Sequence, residues 1–332
     1  MKISELGGET ALINLIQEHY GVTHGGDLEL GIGDDAALVK SGDRFLIITA
    51  DLLVENTHFR MNAIDPYLLG WKSAAVNISD VAAMGGTPTF SFVSIGLPDT
   101  EVSVVEDIYE GMRDVSSKYG SVIAGGDTVG SEAGIVINVT QLGEVEPELA
   151  ARRSGAEPGD AIIVTNTLGD SRAGLVLLLK FGLDQAKMIS SYLVERHLKP
   201  EPRVEEARAA VATGAVKAMM DLSDGLAADL PKLCKASGVG ARVYGQKLPI
   251  SDQLRAAAET GHKDPVEIAA GGGEDYELLI TCDPDNADAV VGAIINSGSR
   301  ASIIGDVVPG NEVTLVSSEG VEKPLGGSWE HF

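Results

Sequence analysis

Five short motifs in this 332-residue chain each join aspartate to glycine, serine or threonine: Gly33-Asp34-Asp35-Ala36, Thr49-Ala50-Asp51, Asn77-Ile78-Ser79-Asp80, Gly125-Gly126-Asp127-Thr128 and Asp221-Leu222-Ser223-Asp224-Gly225. Each is expected where a strand ends, which calls for a layered fold able to gather strand ends. Taken singly, every one of them also reads as a helix cap or a turn. Leu222-Ser223-Asp224-Gly225 in particular is ready-made as a helix N-terminus. Taken as a set they suit Mg2+, which accepts one or two carboxylates per ion and leaves its remaining positions to water and substrate phosphates. Four of the five fall in the first half, where a single layer could bring them together.

The apolar pattern supports such layers. A short amphipathic helix is expected over Glu9 to Tyr20, a buried strand over Arg44 to Thr49, and a helix from Pro66 to Met84 with proline near its start and Gly85-Gly86 at its end. A strand over Thr89 to Ile95, a helix carrying Val104, Ile108, Met112 and Val115, and strands near 121–124 and 134–142 complete an α/β unit. The segment Glu144 to Asp160 is polar, holds two prolines and lacks periodicity, so the chain divides into residues 1–145 and 146–332. Beyond it come a strand at 161–165, helices around 173–180, 185–197 and 204–213, a strand into Asp221 and a helix ending near Ser237. Strands near Arg242, at 276–281, near Ile303 and near Val313, with a helix at 286–296, make a second α/β unit.

Charge sets limits on partners. With 25 Lys plus Arg against 49 Asp plus Glu, the net charge is −24, so nucleic acid and anionic membrane surfaces are repelled. Phosphate chemistry here needs a cationic mediator. Hydrophobic residues at 44% and charged residues at 22% are enough to bury a core, and 40 glycines point to backbone positions that approach a ligand or adopt positive φ. Cys234 and Cys282 lie outside any CxxC spacing, against a disulfide framework or a zinc site. With neither a leader pattern nor a membrane-length apolar run, a cytoplasmic protein is expected.

Gly31-Ile32-Gly33-Asp34-Asp35-Ala36 fits a relaxed dinucleotide fingerprint, but two carboxylates would face the pyrophosphate and no hydrophobic strand leads into the turn. A P-loop is absent because the chain has no Gly-Lys dipeptide. Gly271-Gly272-Gly273 before Glu274-Asp275 suggests close approach to a ligand, or else a flexible turn. Arg152-Arg153 reads as a phosphate clamp or a solvated linker charge. His58, seven residues after Asp51, is either structural or part of a site.

Together the motifs GIGDDAAL (31–38), TADLLVENTHF (49–59), GWKSAAVNISDVAAMGG (70–86), AGGDTVGS (124–131), RRSGA (152–156), TLGDSRAGL (167–175), MDLSDGLAADL (220–230), GGGEDYELL (271–279) and the terminal Gly-Ser-Trp-Glu-His-Phe resemble the thiamine-monophosphate kinase family. That family lies within the aminoimidazole ribonucleotide synthetase-like superfamily, and the similarity runs nearly end to end. The resemblance implies an α/β (α+β) two-domain fold, with an N-terminal mixed sheet that pairs across a homodimer and a C-terminal α/β domain. It implies ATP-dependent phosphorylation of thiamine monophosphate to thiamine diphosphate, assisted by several Mg2+ ions. By matched position, Asp35, Thr49, Asp51, Asp80, Asp127 and Asp221 become metal ligands and Asp224 holds a further ion. At Ala50, where many members carry Thr or Ser, the ligand is the backbone carbonyl. Asp51, Asp80 and Asp127 carry the catalytic role, while Tyr109, Gly126, Asp127, Arg153 and Ser223 match ATP-binding positions. His58, Glu274 and Trp329 match positions that contact thiamine monophosphate. Asn56-Thr57 replaces the family's usual Gly-Val, which leaves the loop before His58 open. Two other readings stand beside this one: a superfamily enzyme that activates an amide or selenide, and a non-catalytic acidic metal-binding protein.

Overall fold

A computed structural model describes residues 3–326 of the chain apart from Gly7 and Val22. Helices α1 (Ile3–Leu6) and α2 (Gly8–His19) precede a first unit made of strands β1 (Leu28–Leu30), β2 (Ala37–Ser41), β3 (Arg44–Val54), β4 (Thr87–Leu97), β5 (Val122–Gly130) and β6 (Val136–Val145), with helices α3 (Pro66–Ala83) and α4 (Val102–Lys118). The strands form one sheet in the order β1-β2-β3-β6-β4-β5, antiparallel except for the parallel pair β4–β5.

The second unit begins with β7 (Ala161–Thr165) and α5 (Asp170–Leu198). It continues through α6 (Val204–Val211), β8 (Val216–Asp221), α7 (Leu226–Ser237), β9 (Gly240–Tyr244), α8 (Asp252–Gly261), α9 (Pro265–Gly271), β10 (Leu278–Cys282), α10 (Ala287–Asn296), β11 (Ala301–Val308), β12 (Val313–Val316) and β13 (Glu322–Pro324). Its sheet runs β13-β12-β9-β11-β7-β10-β8, antiparallel except for β12–β9. β7 and β10 are buried along their whole lengths, as expected of central strands.

Helix α3 joins the two units. Asp65 caps it by accepting the Tyr67 N–H at 2.9 Å, and Pro66 stands at its first position, where a missing N–H costs nothing. From Leu69 to Ala83 every residue but Asp80 is buried, the mark of a helix enclosed on all sides. It packs on α4, on its own sheet, and on α5, α6 and β8 of the second unit. One hydrophobic cluster accordingly holds Leu69, Ala75 and Ile78 of α3 together with Met219 and Ile280 of the second sheet. The α3–α4 crossing is close because it meets at glycine: a Cβ on Gly70 would lie 1.8 Å from the Ile108 carbonyl oxygen, and one on Gly111 1.9 Å from that of Tyr67.

Several expectations need correction. Of the five aspartate motifs, only that of Asp221 closes a strand; Thr49-Ala50-Asp51 lies inside β3, which runs on to Val54, and Gly125-Gly126-Asp127-Thr128 lies inside β5. Asp80 is in the last turn of α3. The helices expected at 173–180 and 185–197 form one element, α5, broken where Gly182 (φ 74°) and Ser190 (φ −155°, ψ 97°) leave helical geometry. Strands β1 and β2 and helices α8 and α9 had no counterpart in the sequence reading. Among the described residues no helix is long and apolar enough to cross a membrane.

Candidate active site

Strand β3 presents Thr49 and Asp51 on one face by its two-residue repeat and turns Ala50, which is exposed, to the other. Asp35 sits in the turn before β2, Asp80 on α3, and Asp221 at the end of β8. These three carboxylates each offer an oxygen within 4.8 Å of the others, so residues from both units meet at one point. Thr49 Oγ1 donates to Asp80 at 2.6 Å and Ser79 Oγ to Asp221 at 2.5 Å. The Arg153 guanidinium grips Asp35 at 2.5 Å, while its backbone N–H donates to Asp34 at 3.1 Å. Asn77, anchored on the Ser73 carbonyl, accepts the Asp51 N–H at 2.9 Å.

The electrostatics of this cluster favour a cation. Burial, and after it neighbouring carboxylates, pushes Asp51 up to about 6 and Asp80 and Asp221 well above the usual carboxylate range. Burial raises Asp35 as well, against the opposing pull of Arg153. Asp35 Oδ2 is buried with no hydrogen-bond partner, an open acceptor that a divalent ion would fill. The donor set is all oxygen, which suits Mg2+.

The cluster faces a cavity of about 630 Å3 whose lining includes Asp51, His58, Lys72, Asp80, Ser223, Asp224, Glu274 and Tyr276. Asp224 is held by Lys232 at 2.6 Å; the same ammonium reaches Asp229, which accepts the N–H groups of Asp224 and Gly225. His58 Nδ1 accepts the Val54 N–H at 2.9 Å, so the tautomer inferred for the neutral ring carries its proton on Nε2. Asn56 in the preceding loop has φ 66°, a left-handed conformation that asparagine tolerates better than most residues. That geometry explains how Asn56 stands where the family usually has glycine.

The irregular segment from Glu274 to Glu277, just ahead of β10, serves three purposes in succession. Glu274 enters the cavity, paired with Lys72 at 2.9 Å and with His197 Nδ1 at 3.2 Å. Asp275 accepts the N–H groups of Gly169 and Ser171 at the start of α5. Glu277, fully buried, binds Arg196, Arg203 and Thr165. The triple glycine ahead of them allows this approach: a Cβ on Gly273 would lie 2.9 Å from the Ser223 carbonyl oxygen. Lys72, His197 and Arg172 all line the cavity, and none was singled out from sequence.

Other expected positions stand apart. Asp51 pairs across the sheet with Val139, then Val93, then Gly126. Three strand spacings therefore separate Asp51 from β5, about 14 Å. Asp127 aligns instead with Ser94, Asn138 and Leu52, on the face opposite to that of Asp51, and is exposed. Tyr109 lies with Glu106, Arg113 and Ile123 around a shallow surface depression. Arg153 is at the cluster and Ser223 lines the cavity beside it; Tyr109, Gly126 and Asp127 of the same chain do neither. Trp329 lies outside the described residues.

Comparison with known proteins places this arrangement. Residues 33–145 match the family described as AIR synthase related protein, N-terminal domain, and residues 157–318 match its C-terminal domain. Thiamine-monophosphate kinase of Aquifex aeolicus is 41% identical over 283 residues, 85% of this chain and 87% of that protein. This chain belongs to the thiamine-monophosphate kinase family. The Bacillus subtilis thiamine-monophosphate kinase is 40% identical, covering 78% of this chain and 79% of its own. A solved structure described as AaThiL complexed with AMPPCP and TMP superposes with a TM-score of 0.88 at 37% identity, over 100% of this chain and 99% of that one. The family's two-unit architecture is the one described above.

Proposed function

We propose that this protein transfers the γ-phosphoryl group of ATP to the phosphate of thiamine monophosphate, giving thiamine diphosphate and ADP. The observation that carries the reading is the meeting of Asp35, Asp80 and Asp221 beside a cavity large enough for a substrate, in a chain with this kinship. The acceptor phosphate, with a second pKa near 6, is largely dianionic at neutral pH, so its oxygen needs no general base. As that oxygen bonds to the γ-phosphorus in line, the bond to the leaving ADP oxygen breaks, and no covalent enzyme intermediate forms.

The task left to the protein is to align two anions and cancel their repulsion. Asp35, Thr49, the Ala50 carbonyl, Asp51, Asp80, Asp127, Asp221 and Asp224 would hold several Mg2+ ions. Bound there, the ions supply charge neutralisation and a template for the phosphates. Arg153 steadies Asp35 and offers a guanidinium toward the nucleotide, and Ser223 lines the route between donor and acceptor. His58, Glu274 and Trp329 would contact the acceptor.

The working unit is a homodimer. Leu52, Phe90, Phe92, Val122 and Val129 are exposed on the outer face of the first sheet, the face that also carries Asp127. Pairing two copies through it would cover this apolar area and put Gly126 and Asp127 at the interface, from which they could serve the partner's carboxylate cluster. The test is incubation of the purified protein with ATP, Mg2+ and thiamine monophosphate, followed by chromatography. Thiamine diphosphate and ADP are expected in equal amounts; Mg2+ binding without either product would leave only an acidic metal-binding protein.

A further inference from the structure

The cavity has a second charged end, away from the carboxylate cluster. The Lys72 side chain is 2% exposed, and an ammonium taken that far from water needs a counter-charge. Glu274 supplies it through Oε1 at 2.9 Å, while Oε2 lies 3.2 Å from His197 Nδ1. His197 is fully enclosed and stays neutral: burial, and then the charge of Lys72, holds it down to about 3. It is therefore a neutral neighbour of Glu274, with Nδ1 also 3.1 Å from Ser171 Oγ, and not a second cation. Glu274 retains 29% exposure, and it lines the cavity. Its backbone has φ 64° and that of Tyr276 φ 51°, left-handed conformations that are strained for residues with a Cβ and persist where the surroundings enforce them.

Helix α3 ties this end to the other. Lys72, Val76 and Asp80 stand at i, i+4 and i+8, hence on one face, and all three line the cavity. Eight residues of helix span about 12 Å. The same buried helix thus fixes Asp80 in the carboxylate cluster and Lys72 at the far end, with no hinge between them. A carboxylate has about four acceptor positions. Lys72 takes one of them on Oε1, which leaves the others available on the side of the cavity that Glu274 lines.

We propose that Lys72 is a positioning residue: it holds Glu274 as a fixed acceptor for the amino-bearing heterocycle of the phosphoryl acceptor, and through α3 sets that acceptor's distance from the metal-holding carboxylates. This rests on the kinase reading above. The Lys72–Glu274 pair is neutral overall, so what it selects is a hydrogen-bond donor at a set distance from the phosphate, not simply a cation. Arg60, Arg172 and His58 also line the cavity, and the charge of Lys72 acts on Glu274 more strongly than that of His58.

The test compares Lys72→Met, Glu274→Gln and the double variant, with thiamine monophosphate and its analogue lacking the pyrimidine amino group as acceptors. Lys72→Met is expected to raise KM for thiamine monophosphate about tenfold or more, the scale of one hydrogen bond to a charged group, while KM for ATP stays near wild type. Glu274→Gln should lose the preference for the amino-bearing acceptor to a similar degree. The double variant should be no worse than either single, because the same interaction is removed once. An unchanged KM for thiamine monophosphate in Lys72→Met overturns the proposal, as does an equal rise in both KM values, which would mark a purely structural lysine. Should Lys72→Met fail to fold, the double variant, whose pair is uncharged, carries the comparison: full retention of acceptor preference there overturns the proposal. Failure of the kinase reading is separate and is seen first, as absence of thiamine diphosphate from the wild-type reaction.

Discussion

Asp80 joins helix α3 to the carboxylate cluster. It is the one residue between Leu69 and Ala83 that is only half-buried as a whole, it accepts from Thr49, and its enclosed carboxyl is raised by desolvation and then by the charges of Asp51, Asp221 and Asp35. Asp80→Asn should lower kcat about a hundredfold or more, the scale of losing one preorganised electrostatic group. In Mg2+-free buffer its melting temperature should equal or exceed that of the wild type, because a like charge has been removed. Steady-state kinetics and calorimetry check the two halves; a wild-type kcat would take the metal role from Asp80. A pH effect follows from the same carboxylates. Their folded pKa values lie above the unfolded value, so their contribution to stability is complete in acid and is lost as pH rises through about 6 for Asp51 and higher for Asp80 and Asp221. Mg2+ binds the deprotonated form and opposes that loss. The rise in melting temperature on adding Mg2+ should therefore be larger near pH 8 than near pH 5.5, and an equal rise at both would contradict the assignment.

At this scale the sequence was a good guide to carboxylates and a poor one to their counter-charges. Asp35, Asp80 and Asp221 could be picked out because aspartate beside glycine or serine is conspicuous in any chain. Lys72 could not, since its partner Glu274 is reached only through the packing of α3 against the second unit. One cue was available: a lysine whose neighbours on its helix face include Leu68, Leu69, Ala75 and Val76.

Among the elements, helices with explicit ends were legible. α3 was expected over 66–84 and runs from Pro66 to Ala83, because Pro66 and Gly85-Gly86 are local signals that packing did not override. β5 was read short because glycine and aspartate are poor strand formers, yet pairing with β4 carries the strand through Gly125-Gly126-Asp127. The close α3–α4 crossing makes its own prediction. Gly70→Ala places a methyl group against the Ile108 carbonyl and Gly111→Ala one against that of Tyr67. Each should cost about 1–3 kcal/mol by overpacking, read from the urea midpoint. The pair should cost less than the sum, because one outward shift of α4 relieves both. Unchanged midpoints would mean that the helices can part freely.

Over the whole molecule, the position of Asp127 decides how many chains make one site. It lies on the opposite face of the first sheet from Asp51 and about three strand spacings away, among the exposed side chains of Leu52, Phe92 and Val129. If that face joins two copies, a subunit with Asp80→Asn and one with Asp127→Asn should complement each other. Mixed dimers should recover part of the activity that neither variant shows alone, and Phe92→Glu should yield a smaller species by gel filtration. A mixture that stays inactive would return Asp127 to its own chain.

In the carboxylate cluster Asp35 and Asp80 belong to one unit and Asp221 to the other, so a cation there is also a joint between the two halves of the chain. Binding and joint closure are then linked functions: whatever the ion contributes to holding the halves together, holding them together returns to the affinity for the ion. Pressure, chaotropes or a distant substitution that loosens the seam along α3 would weaken metal binding without altering any ligand. Conversely, a chelator would make the seam itself the most readily opened part of the molecule.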